Sequence, residues 1–275
     1  MNAELRWDGL RVMVPADWEP VVLDRGFIRL ADQDGQSVEL RFAPETKRFD
    51  PARDGRRLLR AAGLKQTALE PCREQWCREI HADVLHGDRL RVLRFRDTVV
   101  AVLFSSLPPS EALRGLLTSL DWTPPDSWRD WACFDLRFET PPQALLVGAS
   151  FRPGAFRLDF RLGLSKLAFR RLAPADVLLA GSDLTTWLER FLRREHDAGM
   201  AVTPQGDREA RFTHRPGPLY RLLPGLPGAA PRLRGTARHD ARHNKLLILT
   251  EHGRPCPRPV FDRLWTSYAA TTIQD

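Results

Sequence analysis

The chain has 275 residues, of which 43% are hydrophobic and 28% are charged. This composition is typical of a folded protein with a sizeable core, and it argues against intrinsic disorder. The longest apolar runs, such as 98–104 and 246–249, are far shorter than the ~20 residues needed to cross a bilayer. The N-terminus lacks a basic stretch followed by an apolar one, so we expect no signal peptide and a cytoplasmic location.

The formal net charge of +7 is carried almost entirely by arginine. GC-rich coding explains an excess of arginine without any function, whereas a planar guanidinium also suits the binding of phosphate or carboxylate. The four cysteines are sparse, and without an export signal we expect them to be free thiols.

In chain order, the first half shows strand patterns at 7–14, 26–32 and 38–42. A helix is predicted to open at Asp50-Pro51, because aspartate caps helices and proline suits their first position. Strands at 75–84, 89–95 and 99–105 and a helix from Ser110 to Leu120 follow. The polar, proline-rich stretch 123–127 then predicts a domain boundary.

The second half repeats this order, with strands at 134–138, 154–159 and 167–172. A helix opening near Ser182-Asp183 has an apolar stripe at helical spacing, formed by Leu184, Trp187, Leu188, Phe191 and Leu192. Strands at 209–213, 232–239 and 245–250 and a helix at 258–268 complete it. We therefore predict an α+β protein made of two tandem diverged copies, 1–123 and 128–275. Each copy would be a mainly antiparallel sheet covered by helices, in the order β-β-β-α-β-β-β-α; a single continuous domain is the alternative.

The opening stretch from Gly9 to Glu19, with Pro15 and Trp18 after a strand, resembles the start of PsbP-like domains. The predicted order of elements is similar to that fold in both halves. The resemblance implies a protein that docks onto larger proteins rather than an enzyme, which is an analogy at the level of the fold. No functional residue carries over, because no functional motif of that family is found here.

The chain lacks the phosphate-binding, dinucleotide-binding and hydrolase motifs that have recognisable spacings. The nearest approach to a metal site is Cys72, Cys77 and His81, which supplies three ligands where zinc takes about four. Two incidental thiols beside an exposed histidine are the alternative interpretation. We therefore predict neither a metal nor any other cofactor.

The basic charge is concentrated between Arg208 and Arg258. This stretch contains a long apolar loop, rich in proline and glycine, from Arg215 to Pro227. Loops of this kind bind partners or fold back over their own core. The predicted partner-binding residues are Arg215, Leu219, Tyr220, Arg221, Leu222, Leu223 and Leu226.

These patterns predict a non-catalytic adaptor, assembly factor or subunit of a larger complex, which binds a protein that has an acidic surface. The first alternative is a nucleic-acid-binding component that uses the basic segment 208–258. Its candidate residues are Arg232, Arg234, Arg238, Arg242 and Lys245. The second alternative is an enzyme with a site that the sequence does not disclose.

Overall fold

The computed structural model describes residues 2–15, 17–44, 50, 53–54, 56–57, 60, 70–71, 83–86, 89–95, 98–105, 110–195, 200–214 and 232–271. The chain divides into two compact units. Unit 1 comprises Met1–Asp126 and Asp130–Phe134, and unit 2 comprises Ser127–Arg129 and Asp135–Asp275. The predicted domain limits, 1–123 and 128–275, stay a prediction.

Unit 1 contains a seven-stranded antiparallel sheet in the order β3-β4-β5-β9-β8-β7-β6 and a smaller group in the order β10-β2-β1-β11. Helix α1 (Ser110–Thr118) contacts β2, and the Ser119 hydroxyl accepts a hydrogen bond from the Met13 amide at 2.9 Å. The strands are β1 (Asn2–Trp7), β2 (Leu10–Pro15), β3 (Glu19–Asp24), β4 (Phe27–Ala31), β5 (Ser37–Pro44), β6 (Glu70–Pro71), β7 (Asp83–His86), β8 (Leu90–Phe95), β9 (Thr98–Phe104), β10 (Asp121–Trp122) and β11 (Arg129–Cys133).

A tryptophan pair forms part of the core of unit 1. The rings of Trp7 and Trp131 are fully buried and meet edge to face, with centroids 5.0 Å apart. Arg6 forms an ion pair with Asp130 beside them. The segment Asp130–Phe134 therefore belongs to the core of unit 1, although it follows the predicted boundary at 123–127.

Unit 2 contains a seven-stranded antiparallel sheet in the order β13-β14-β15-β19-β18-β17-β16, together with the paired strands β12 and β20. Its helices are α2 (Ala175–Leu179), α3 (Leu184–Glu195) and α4 (Arg258–Ser267). The strands are β12 (Leu136–Thr140), β13 (Leu145–Arg152), β14 (Ala155–Leu162), β15 (Ser165–Leu172), β16 (Met200–Pro204), β17 (Glu209–His214), β18 (Arg232–Asp240), β19 (Lys245–Gly253) and β20 (Ala269–Ala270).

The two faces of this sheet are covered differently. Helix α3 packs its buried stripe on β16, β17 and β18, over a core that contains Phe212, Ala237 and Ile248. On the opposite face, Phe138 of β12 stacks on Phe169 of β15 with centroids 4.2 Å apart, and Tyr268 meets Phe169 edge to face. Because α3 contacts β16, β17 and β18, it does not extend over the β13–β15 end of that face, which among the described residues forms a groove.

The predicted fold class is wrong. Strand accounts for 55% of the described residues and helix for 19%, and these strands form three sheets. The described part is therefore mostly antiparallel sheet and not two helix-covered α+β copies. The prediction missed β3, β13 and β16, and also the two-residue strands β10 and β20, which are too short to show alternation. Helices α1, α3 and α4 are confirmed at the predicted places; the predicted helix after Asp50 lies largely outside the described residues.

Candidate functional site

Two of the predicted sites lie outside the described residues. The first is the partner-binding set in the loop, namely Arg215, Leu219, Tyr220, Arg221, Leu222, Leu223 and Leu226. The second is the candidate metal set, Cys72, Cys77 and His81. Within the described part of the chain, no group of three or more His, Cys, Asp or Glu side chains is placed to hold a metal ion. Both sets stay predictions.

Arg234, a candidate for nucleic-acid binding, lies in a buried polar cluster. Its Nε donates to Glu251 at 2.5 Å, and its Nη2 donates to the Cys256 carbonyl at 2.9 Å. Its guanidinium carbon lies 4.6 Å from the ring centroid of Phe261. Since the Glu251 side chain is only 1% exposed, this cation neutralises an internal carboxylate.

The other candidates for nucleic-acid binding have diverse surroundings. Arg238 donates to the Tyr268 carbonyl and lies over the ring of Trp265, and Lys245 forms an ion pair of 2.6 Å with Asp135. Arg242 is exposed in the β18–β19 turn, and the side chain of Arg232 is outside the described part. Three of the five predicted cations thus serve internal contacts, and the described residues give the nucleic-acid alternative no support.

The Glu251 cluster also contains a thiol. The Cys256 amide donates to Glu251 Oε1 at 2.6 Å, and the Ser165 hydroxyl lies 3.3 Å from the same oxygen. Burial, together with the hydrogen bond and negative charge of Glu251, raises the pKa of the Cys256 thiol to about 12. A thiol that stays protonated is a poor nucleophile, so this cluster holds a turn in place and does not offer reactive chemistry.

The open end of the unit 2 sheet forms a groove of about 440 Å³. Its floor contains Ala168, Leu233 and Thr250, whose exposed fractions are between 7% and 8%. Its outer wall is Val147, which is 59% exposed on edge strand β13. The groove therefore has an apolar floor and one exposed apolar wall.

Three basic side chains form a row beside this floor. Arg161 of β14 is directly opposite Lys166 of β15, which is opposite His252 of β19. All three residues are exposed, and Lys166 and His252 line the groove. Neither Arg161 nor Lys166 forms an ion pair with any described residue. We call Arg161, Lys166 and His252 the basic row.

The other charges of the groove are paired. Arg157 Nε lies 2.9 Å from both carboxylate oxygens of Asp159. Arg170 donates to Glu195 at 2.8 Å and lies over the ring of Phe191. Among the described residues, the unpaired charge at the groove is therefore positive, and it comes from the basic row.

Sequence reasoning missed this groove. The alternation of Arg157, Asp159 and Arg161 with Leu158 and Phe160 is a visible strand pattern, and it puts the charged residues on one face. The pattern does not show that His252, about ninety positions later, completes the row. That requires the β15–β19 pairing, a long-range contact.

No protein-family model and no curated protein matches the sequence. Among solved structures, a mutant of the protein Mog1 has a TM-score of 0.36 and 9% identity, over 53% of this chain and 97% of Mog1. The Saccharomyces cerevisiae Ran-binding protein Mog1p has a TM-score of 0.37 and 9% identity, over 54% and 97%. The Pseudomonas aeruginosa MucA/MucB complex has a TM-score of 0.17 and 11% identity, over 98% and 93%.

Among the described helices, none combines the length and the apolar character that a membrane crossing requires.

Proposed function

We propose that this chain is a non-catalytic, protein-binding subunit or adaptor, and that the groove of unit 2 binds an acidic segment of its partner. The observation that carries the proposal is the basic row, whose Arg161 and Lys166 are opposite each other without an ion pair among the described residues. Like charges directly opposite on neighbouring strands destabilise a sheet. Carboxylates of a bound partner would remove that repulsion.

The floor of the groove supports the same proposal. Val147 offers an exposed apolar side chain beside Leu233 and Ala168, which are nearly covered already. A partner that lies in the groove would bury Val147, and this burial adds hydrophobic free energy to the electrostatic attraction. An apolar centre with charges at its rim is the usual arrangement of a protein-binding surface.

The groove suits binding better than acid–base catalysis. Among the described residues that line it, the one carboxylate is that of Asp159, and both of its oxygens accept from Arg157. His252 is exposed, and its register neighbours Lys166 and Leu233 supply no carboxylate that would orient the imidazole. General acid–base chemistry uses positioned pairs of groups, which this arrangement does not provide.

The test is a comparison of three forms of the chain in pull-downs from the native host. Wild type and Arg208→Glu, a reversal at an exposed arginine outside the groove, should retain the same partner in equal amounts. The double variant Arg161→Glu/Lys166→Glu should lose it, because the row then repels carboxylates. Mass spectrometry identifies the partner, and nuclease treatment separates a protein from a nucleic acid.

Stability provides the second readout. Lys166→Glu places opposite charges face to face with Arg161, so the free energy of unfolding should rise by about 0.5 kcal/mol. If Lys166→Glu is more stable than wild type and yet retains less partner in the same pull-down, the basic row serves binding and not stability. A partner retained equally by all forms, or a partner that nuclease removes, contradicts the proposal.

The loop from Arg215 to Pro227 stays a second proposed contact. Tyr220→Ser and Leu223→Ser in the same pull-down should weaken retention if the loop binds the partner, since apolar anchors dominate such contacts. Unchanged retention would leave the groove as the only contact proposed.

A further inference from the structure

Strand β13 is at one end of the unit 2 sheet. In the order of strands it has a single neighbour, β14, to which it pairs from Leu145 to Arg152. Among the described residues, the other side of β13 pairs with no strand. A terminal strand has a row of N–H and C=O groups that can accept a further strand.

The terminal strands of this protein differ in how well their sequences prevent pairing with a further strand. Natural proteins protect such edges with proline, lysine and other charged residues. In unit 1, the terminal strand β3 contains Pro20 between Glu19 and Val21 and ends at Asp24. The opposite terminal strand of unit 2, β16, ends at Pro204. By contrast, β13 has neither proline nor a charged residue before Arg152.

A bulge divides β13 into two parts. The register with β14 shifts between Leu146 and Gly148, so Val147 is left without an opposite residue and is 59% exposed. From Gly148 to Arg152 the register is regular again. A bulge often turns a side chain toward a functional surface, and here Val147 is the side chain that forms the wall of the groove.

The basic row begins next to this edge. Arg161 is opposite Leu145 of β13, so the part of an added strand that runs alongside Leu145 would be two strand spacings from Arg161, or about 10 Å. An arginine and a glutamate side chain together span such a distance, because each is several bonds long. Acidic residues on the groove side of an added strand would thus meet the basic row.

Because β13 lacks proline and charged residues before Arg152 and has the basic row beside it, we infer that the partner segment binds as an extended, acidic strand added to β13. The inference rests on the proposed function and names the conformation and chemistry of the bound segment. Main-chain hydrogen bonds to the 148–152 part of β13 supply affinity. The segment continues past Val147 to run alongside Leu145, where its acidic side chains meet Arg161.

The experiment is selection of a random twelve-residue peptide library on the immobilised full chain. We expect enrichment of peptides in which apolar residues alternate with Asp or Glu. N-methylation at alternate backbone positions of a selected peptide, which removes one row of donors without changing its charge, should weaken binding at least tenfold. Amide exchange in 148–152 should slow when the unmodified peptide is bound.

The matched protein variants are Val147→Lys and Leu164→Lys. Both replace an exposed apolar residue, but Leu164, 76% exposed, is in the β14–β15 turn and not on the edge. Lysine at 147 disfavours pairing of a further strand at the edge, although its charge attracts an acidic peptide. An affinity loss of at least tenfold in Val147→Lys, with no loss in Leu164→Lys, therefore supports strand addition.

The outcomes separate the two proposals. If binding is lost in Arg161→Glu/Lys166→Glu but tolerates N-methylation and Val147→Lys, the strand inference is wrong and the proposed function stands. If no acidic peptide is enriched, or if charge reversal leaves affinity unchanged, the proposed function fails as well. Peptides with helical spacing of their apolar residues overturn the strand inference alone.

Discussion

Glu251 shows how a single residue determines what nearby cations can do. Its buried carboxylate binds Arg234, the Cys256 amide and Ser165, which belong to three separate segments of unit 2. A buried charge without a partner is costly, whereas a paired and hydrogen-bonded one is tolerated. The positive charge of Arg234 is therefore part of the fold, although in the sequence it looks like part of a basic surface.

Glu251→Gln should lower the free energy of unfolding by about 3 kcal/mol, because Arg234 keeps its charge in a partly buried place without a counterion. The measurement is urea unfolding followed by circular dichroism. Glu39→Gln is the control, since its ion pair with Arg41 is at the surface and should cost less than about 1 kcal/mol. Equal losses in the two variants would show that Glu251 is not the structural anchor.

The Cys256 thiol gives a prediction about pH. Because its pKa is raised to about 12 in the folded chain, iodoacetamide at pH 9 should alkylate it far more slowly than in urea. The folded state favours the protonated thiol, so this contribution to stability is complete below about pH 9 and is lost as the pH rises towards 12. Peptide mass spectrometry gives the alkylation rate at each cysteine; equal rates at Cys256 in native and unfolded chain would contradict the assignment.

At the scale of elements, helices α1, α3 and α4 were predictable from the sequence, whereas the short helix α2 and the sheet arrangement were not. Helix α3 followed from its apolar stripe and from Asp183, which accepts a hydrogen bond from the Thr186 amide at 2.9 Å. The groove was not predictable, because its basic row combines strands that are adjacent only through long-range pairing. Register is specified by packing across the whole sheet, and local alternation does not contain that information.

Two glycines should respond in opposite ways to alanine. At Gly235 of β18, a Cβ would overlap the Phe212 ring and the Leu249 carbonyl oxygen, so Gly235→Ala should destabilise unit 2 by about 3 kcal/mol or more. At Gly115 of α1 there is open space, so Gly115→Ala should stabilise the helix by about 1 kcal/mol. Urea midpoints measure both; stability retained in Gly235→Ala would contradict the observed close approach.

At the scale of the whole molecule, the limits of unit 1 can be tested by truncation. A fragment of residues 1–134 retains Trp131, whereas a fragment that ends at 126 leaves Trp7 without that ring. Removal of a buried tryptophan costs about 3–5 kcal/mol, so the shorter fragment should unfold at clearly lower urea. Tryptophan fluorescence and circular dichroism follow the transition, and equal midpoints would favour the boundary predicted at 123–127.

The close approach at Gly235 also restricts how this protein can evolve. A smaller residue at 212 would remove the ring from the space of a Cβ, but the Leu249 carbonyl oxygen belongs to the main chain and no substitution removes it. Position 235 therefore has no stepwise mutational route away from glycine while β18 and β19 keep their pairing. In any set of descendants we expect glycine to be fixed there, while the basic row changes together with its partner.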